Sequence, residues 1–172
     1  DYIALSKQGK LIDAVNKNQK PATEIREAAV ECSKKKKINF IFDTTLGGQS
    51  AMDGLFNIAN QGYLPWILYV EIDGNVALGR IKNRENTEGR TVDEGYFNAM
   101  VKKVPVNIET LKNSNKFLVI TVDNTDAIPV LKSIKFPNKI DFKYSIPLSK
   151  QNLFKLQEVF KEVSKNLSQE NK

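Results

Sequence analysis

The pattern of apolar and polar positions divides the chain into strand-like and helix-like blocks that alternate along its length. Ile38–Phe42 (I-N-F-I-F) is apolar at nearly every position. That is how a strand buried on both faces of a parallel sheet reads. Asp43, Thr44, Thr45 and the Gly47-Gly48 pair follow at once. Trp66–Ile72 and Phe117–Val122 read as second and third apolar strands. Lys139–Ile146 sets Ile140, Phe142, Tyr144 and Ile146 against polar neighbours, the period-2 signature of a half-exposed strand. Asp1–Leu5 reads as the tail of a strand with Asp1 at its carboxyl end.

Helical spacing fills the intervals. A short helix is expected over Lys10–Asn16, then a loop over Asn18–Lys20. Pro21 suits a helix start, and Ala22–Lys36 repeats Ile25, Ala28, Ala29 and Cys32 at spacings of three and four. Ser50 is placed as the N-cap of a helix over 51–60, with Asp53 three residues on. Val76–Arg84 reads as a helix followed by a polar loop, Glu85–Gly89. A long helix is expected over Val92–Asn113, interrupted at Pro105. Asp126–Ser133 reads as a short helix, and Ser149 as the cap of an amphipathic one over Lys150–Leu167. Such alternation implies βαβ units and a mainly parallel sheet. In that arrangement Asp43 stands just outside the carboxyl end of a central strand, where ligands of open α/β sheets bind. The alternative is a solvated turn in which Asp43 or a Thr caps the following helix.

Composition narrows the chemistry. The 172 residues suffice for one domain with a substantial core. No run approaches the 18 apolar residues of a membrane span, and no signal-like segment opens the chain. With a single cysteine, Cys32, no intrachain disulfide forms, and cytoplasm is the expected compartment. Histidine is absent, which excludes Ser-His and Cys-His catalysis and His-based zinc sites. The net charge of +6 favours anionic partners such as nucleotides and phosphorylated metabolites. Lys34–Lys37 complement the negative end of the helix that precedes Ile38. The chain opens on Asp1 instead of Met, so further sequence is expected upstream.

Leu78–Arg90 (L-G-R-I-K-N-R-E-N-T-E-G-R) concentrates three guanidiniums. Arg80 and Arg84 are four apart and share one helical face, and Arg90 follows a glycine. Arginine offers a bidentate fork that never loses its charge, which suits a phosphate chain. The bland alternative is a solvated helix in which Arg84 pairs with Glu85 or Glu88. Set beside Asp43 at a strand end, the pattern points to phosphoryl transfer, where a protein mainly positions reactants and neutralises charge.

At these residues the chain resembles the zeta toxin-type kinases. Ile38–Thr45 is similar to the strand that ends in an acidic residue before Gly-Thr or Thr-Thr. Leu78–Arg90 is similar to the lid, an L-G-x-I-x-x-R-like helix followed by a loop ending in Gly-Arg. Lys103–Leu111 (K-V-P-V-N-I-E-T-L) is similar to the N-L-P-x-N-L-E-T-L segment that follows. Order and spacing agree from Ile38 to Leu111. The resemblance implies a P-loop kinase-like three-layer fold over residues 1–148, with a lid at about 76–92 and a C-terminal amphipathic helix over 149–172. It implies ATP or GTP with Mg²⁺, and transfer to a hydroxyl of a small acceptor such as a UDP-N-acetylhexosamine. By position, Asp43 stands for an acidic substrate-binding or Mg²⁺-site residue, and Thr44 and Thr45 for the substrate loop. Arg90 stands for a lid arginine that contacts the nucleotide phosphates; the other lid arginine falls near Asn83 or Arg84 and is assigned to Arg84, with Arg80 a third candidate, and Asp1 stands for the general base on the acceptor hydroxyl.

One departure matters. No G-x-x-x-x-G-K-[ST] occurs anywhere in the sequence, and Gly47-Gly48 lacks the Lys-Ser/Thr that grips phosphates and Mg²⁺. In the family that loop lies upstream of the position of Asp1, so the fold is expected to be incomplete at its N-terminus. The implied partners are a nucleotide, a phosphorylated or sugar-nucleotide acceptor and an antitoxin-like protein, with no membrane. Two alternatives stand beside the kinase: an inactive P-loop-like binding module of a larger assembly, and a polynucleotide kinase. Against the last, no stripe of aromatics interleaved with basic residues marks a single-strand groove.

Overall fold

A computed structural model describes residues 11–89, 92–137 and 141–170. Its elements in order are α1 (Leu11–Lys36), α2 (Gln49–Asn60), β1 (Trp66–Glu71), α3 (Gly74–Glu88) and α4 (Glu94–Asn113), then β2 (Leu118–Asp123), β3 (Val130–Lys135), β4 (Asp141–Pro147) and α5 (Leu153–Glu170), the last preceded by a 3₁₀ turn at Lys150–Asn152. The chain forms two units. The described parts of Asp1–Thr45 and Ala77–Met100 make one, and Leu46–Val76 with Val101–Lys172 the other.

The second unit is built on a four-stranded sheet in the order β1-β2-β3-β4. β1 pairs with β2 in parallel, whereas β2–β3 and β3–β4 are antiparallel. The expected mainly parallel sheet is therefore corrected to a mixed one with a single parallel pair. The cause is the segment after β2. Asp126–Ser133, expected as a helix, instead carries Pro129 and the β-branched Val130 into an antiparallel strand that runs on through Ile134. β4 then returns beside it, close to the strand expected from alternation.

β2 lies between two apolar layers. Leu118, Ile120 and Val122 point to one side and join Leu131, Ile134, Phe136 and Val159 of α5. Val119 points to the other side and joins Met52 of α2 and Ile108 and Leu111 of α4. Phe117, just before the strand, packs edge-on against Phe56 with ring centroids 5.2 Å apart. Helices thus cover both faces of the sheet, the three-layer arrangement expected. Among the described residues β1 is the edge strand, and its alternate residues Trp66, Leu68 and Val70 are about half exposed or more.

The first unit departs furthest from expectation. Ile38–Phe42 belongs to no strand, and Ile41 is fully exposed. An apolar run becomes a buried strand only when neighbouring strands take its backbone hydrogen bonds, and no described strand pairs with this one. α1 also runs unbroken from Leu11 through Pro21, because Asn18-Gln19-Lys20, expected as a loop, continues the helix. Lys34–Lys36 occupy its last turn as anticipated, and Lys34 pairs with Glu31. α3 continues to Glu88, through most of the expected polar loop, and α4 contains Pro105 without ending there.

Leu111 is fully buried in the α2–α4 layer. Leu111→Ala is expected to lower stability by about 3 kcal/mol in chemical denaturation, the usual cost of such a cavity. A loss below about 1 kcal/mol would contradict this packing.

Candidate functional site

Asp43, Thr44 and Thr45 lie in an exposed, extended stretch of the first unit, after the irregular Ile38–Phe42 run. The next helix, α2, takes Gly48 as its N-cap, without a side-chain cap bond. Neither Asp43 nor a Thr caps it, and Ser50, expected as the cap, lies inside the helix. Thr45 Oγ1 shares a hydrogen bond of 3.1 Å with the Tyr96 hydroxyl at the start of α4. That start is itself fixed by Asp93, whose carboxylate accepts the Tyr96 backbone N–H at 2.7 Å. Tyr96 is about half exposed and holds the threonine loop.

Leu46, next in the chain, adopts a left-handed backbone with φ of 55°. A branched residue is uncommon there and needs support. Its side chain is buried, and its carbonyl accepts the Asn107 amide at 2.7 Å. Asn107 is the asparagine of the N-I-E-T-L segment, so this part of the motif has a structural role in the second unit.

Arg80 and Arg84 sit one turn apart on α3, within the same unit as Asp43. Arg80 is half-buried and Arg84 exposed. Arg84 makes no ion pair with Glu85 or Glu88 among the described residues. Asp1 and Arg90 lie outside the described residues.

A second group of polar residues was missed by sequence reading. The parallel strands β1 and β2 both end in a carboxylate, Glu71 and Asp123, which are register partners. Like charges in adjacent strands repel, and Lys132 of β3 answers them. Its ammonium lies 2.8 Å from Asp123 and 3.2 Å from Glu71. The turns beyond are tied down in the same place. Asp73 caps α3 by accepting the Asn75 and Val76 N–H groups at 2.9 and 3.1 Å. The Asp73 N–H donates to Thr125 Oγ1 at 3.0 Å, and the Thr125 N–H donates to Asp123 at 2.9 Å. The Lys132 contact, helped by Thr125, lowers the Asp123 carboxyl to about 2. The hydrogen bond to Asp123, and then the one to Glu71, raises Lys132 in turn. The available signal was the two strand ends, Y-V-E and T-V-D, each an apolar run closing on an acid, the same cue that drew attention to Asp43.

Thr121, in the middle of β2, is the one polar residue of its buried core. It is 5 % exposed, and its hydroxyl has no hydrogen-bond partner. Such a group typically costs about 1–3 kcal/mol. It faces a cavity of about 440 Å³ between α4 and the sheet.

Among the described residues no group of three or more His, Cys, Asp or Glu side chains is placed to hold a metal ion. With no Walker-type loop in the sequence, the described residues do not by themselves make a Mg²⁺·nucleotide site. No described helix is long and apolar enough to cross a membrane.

The residues gathered here are those of an α/β protein with strand-end carboxylates and an arginine helix. The chain belongs to the zeta toxin family, whose model matches residues 1–134. Membership brings a P-loop, nucleotide-dependent, kinase-like function and the associated fold, with the mixed sheet described above as this chain's departure. No curated protein and no solved structure matches the chain.

Asp123 contributes to stability fully above its ordinary value of 3.8, and that contribution is lost as the pH falls through about 2. Carboxyl NMR is expected to place its midpoint near 2, and Lys132→Met to return it toward 3.8. A midpoint near 3.8 in the unsubstituted protein would show that the lysine bridge does not form.

Proposed function

We propose that this protein is a phosphotransferase of zeta toxin type, moving the terminal phosphoryl group of ATP or GTP, with Mg²⁺, to a hydroxyl of a nucleotide sugar such as a UDP-N-acetylhexosamine. The observation that carries this reading is the family match over residues 1–134, which spans the acidic-threonine loop and the arginine helix together. Asp43, Thr44 and Thr45 bind the acceptor, with Thr45 held by Tyr96. Arg80, Arg84 and Arg90 neutralise phosphate charge, the main demand of phosphoryl transfer on a protein. Asp1 takes the acceptor proton. The phosphate cradle is not encoded in these 172 residues, so the reaction is to be sought with the full-length protein. An antitoxin-like protein is the expected partner, and the cytoplasm the compartment in which nucleotide and acceptor meet.

The test is transfer from γ-labelled ATP or GTP to UDP-N-acetylglucosamine by the full-length protein. Labelled nucleotide sugar is expected. Asp43→Asn and Arg84→Ala are each expected to lower kcat/KM about 100-fold, or about 2.7 kcal/mol, with circular dichroism unchanged. No transfer, or wild-type rates in both variants, would sink the assignment.

A further inference from the structure

The cavity under α4 is crossed by a polar row that uses all four strands. Tyr69 of β1 is the register partner of Thr121 in β2, Thr121 of Ser133 in β3, and Ser133 of Lys143 in β4. All four line the same space. At a strand spacing of about 4.8 Å the row is about 14 Å long. Pro105 and Ile108 of α4 close its apolar side.

A break in the ladder makes the row possible. Thr121 and Val122 are consecutive, but their partners are Ser133 and Leu131, so Lys132 is left unmatched as a β-bulge. In a regular strand neighbours point to opposite faces. Here Lys132 and Ser133 both line the cavity, while Leu131 and Ile134 enter the core on the other side. Bulges of this kind re-aim side chains beside functional sites.

The charges of the cavity are already partnered, with one exception. Glu109 pairs with Lys112 at 2.8 Å, and Lys132 with Glu71 and Asp123. Among the described residues no hydrogen bond or ion pair is made by the ammonium of Lys143 or by the hydroxyls of Tyr69, Thr121 and Ser133. Burial first, and then the carboxylates of Glu71 and Glu109, push the Tyr69 phenol up, so it remains a donor at neutral pH. The groups left over are thus three hydroxyls and a single cation.

We propose that this cavity binds a small polyhydroxylated monocarboxylate of the sugar-acid class, its carboxylate at Lys143 and its hydroxyls along Ser133, Thr121 and Tyr69. Hydroxyls that both donate and accept match a polyol, and one uncompensated ammonium matches one negative charge. A phosphomonoester carries nearly two negative charges. It would meet the surplus carboxylate around Lys132, which faces two acids alone. A cavity of about 440 Å³ accommodates a six-carbon acid. The site lies wholly in the second unit, whereas Asp43, Arg80 and Arg84 belong to the first, and it stands independently of the kinase reading.

The experiment is an amide NMR titration of the full-length protein, without nucleotide, using gluconate, glucose and glucose 6-phosphate as probes. Gluconate is expected to give saturable shifts at Thr121, Ser133 and Lys143, and to bind more tightly than either comparison sugar. Lys143→Met is expected to weaken it by about tenfold or more, and Thr121→Val by about fivefold. Thr121→Val removes an unpartnered hydroxyl without changing shape, so its melting temperature is expected to hold or rise. The proposal is overturned if gluconate gives no saturable shifts, if glucose binds as tightly or glucose 6-phosphate more tightly, or if both variants bind gluconate like the unsubstituted protein.

Discussion

The structure depends on the burial of β2 between two helical layers. Five of its six residues are buried, and they divide by alternation. Leu118, Ile120 and Val122 serve the α5 side, and Val119 serves the side of α2 and α4. Because a strand has period two, a slip of one residue would exchange these faces and expose both cores. Pairing of β1 and β3 with β2 is therefore fixed in register, and with it the position of every polar group at the strand ends. Glu71 meets Asp123 because Trp66 meets Leu118 five residues earlier.

That constraint also explains why polar chemistry gathers where it does. Side chains on the inner rows of β2 have no access to water, so polar groups appear at its end or at a defect in its ladder. The end gives the Glu71–Lys132–Asp123 cluster, and the defect gives the bulge that turns Lys132 and Ser133 to the same side. Thr121 breaks the rule and has no partner inside the protein. The arginine helix and the acidic-threonine loop, which the family match spans, belong to the other unit.

Much of this was legible from sequence. The apolar runs at Trp66 and Phe117, the helices over α2 and α4, and the amphipathic C-terminal helix all follow from periodicity, and the family followed from ordered motifs. Misreadings arose where local pattern and long-range pairing diverge. Ile38–Phe42 has the composition of a central strand, but composition does not supply neighbours. Val130–Lys135 was hidden because a bulge spoils its alternation: Leu131 and Ile134 point inward at a spacing of three, which imitates a helix. Ser50 looked like a cap, yet the backbone at Gly48 turns first. The cavity row was beyond sequence reading, since its four members come from four strands and only the register aligns them.

The protein is built on β2, and not on the Ile38–Phe42 run. Amide hydrogen exchange on the full-length protein measures this directly. Val119–Val122 are expected to exchange only through global unfolding, and Ile38–Phe42 to exchange faster by several orders of magnitude. Equal protection of the two segments would contradict it, and would restore Asp43 to the end of a central strand.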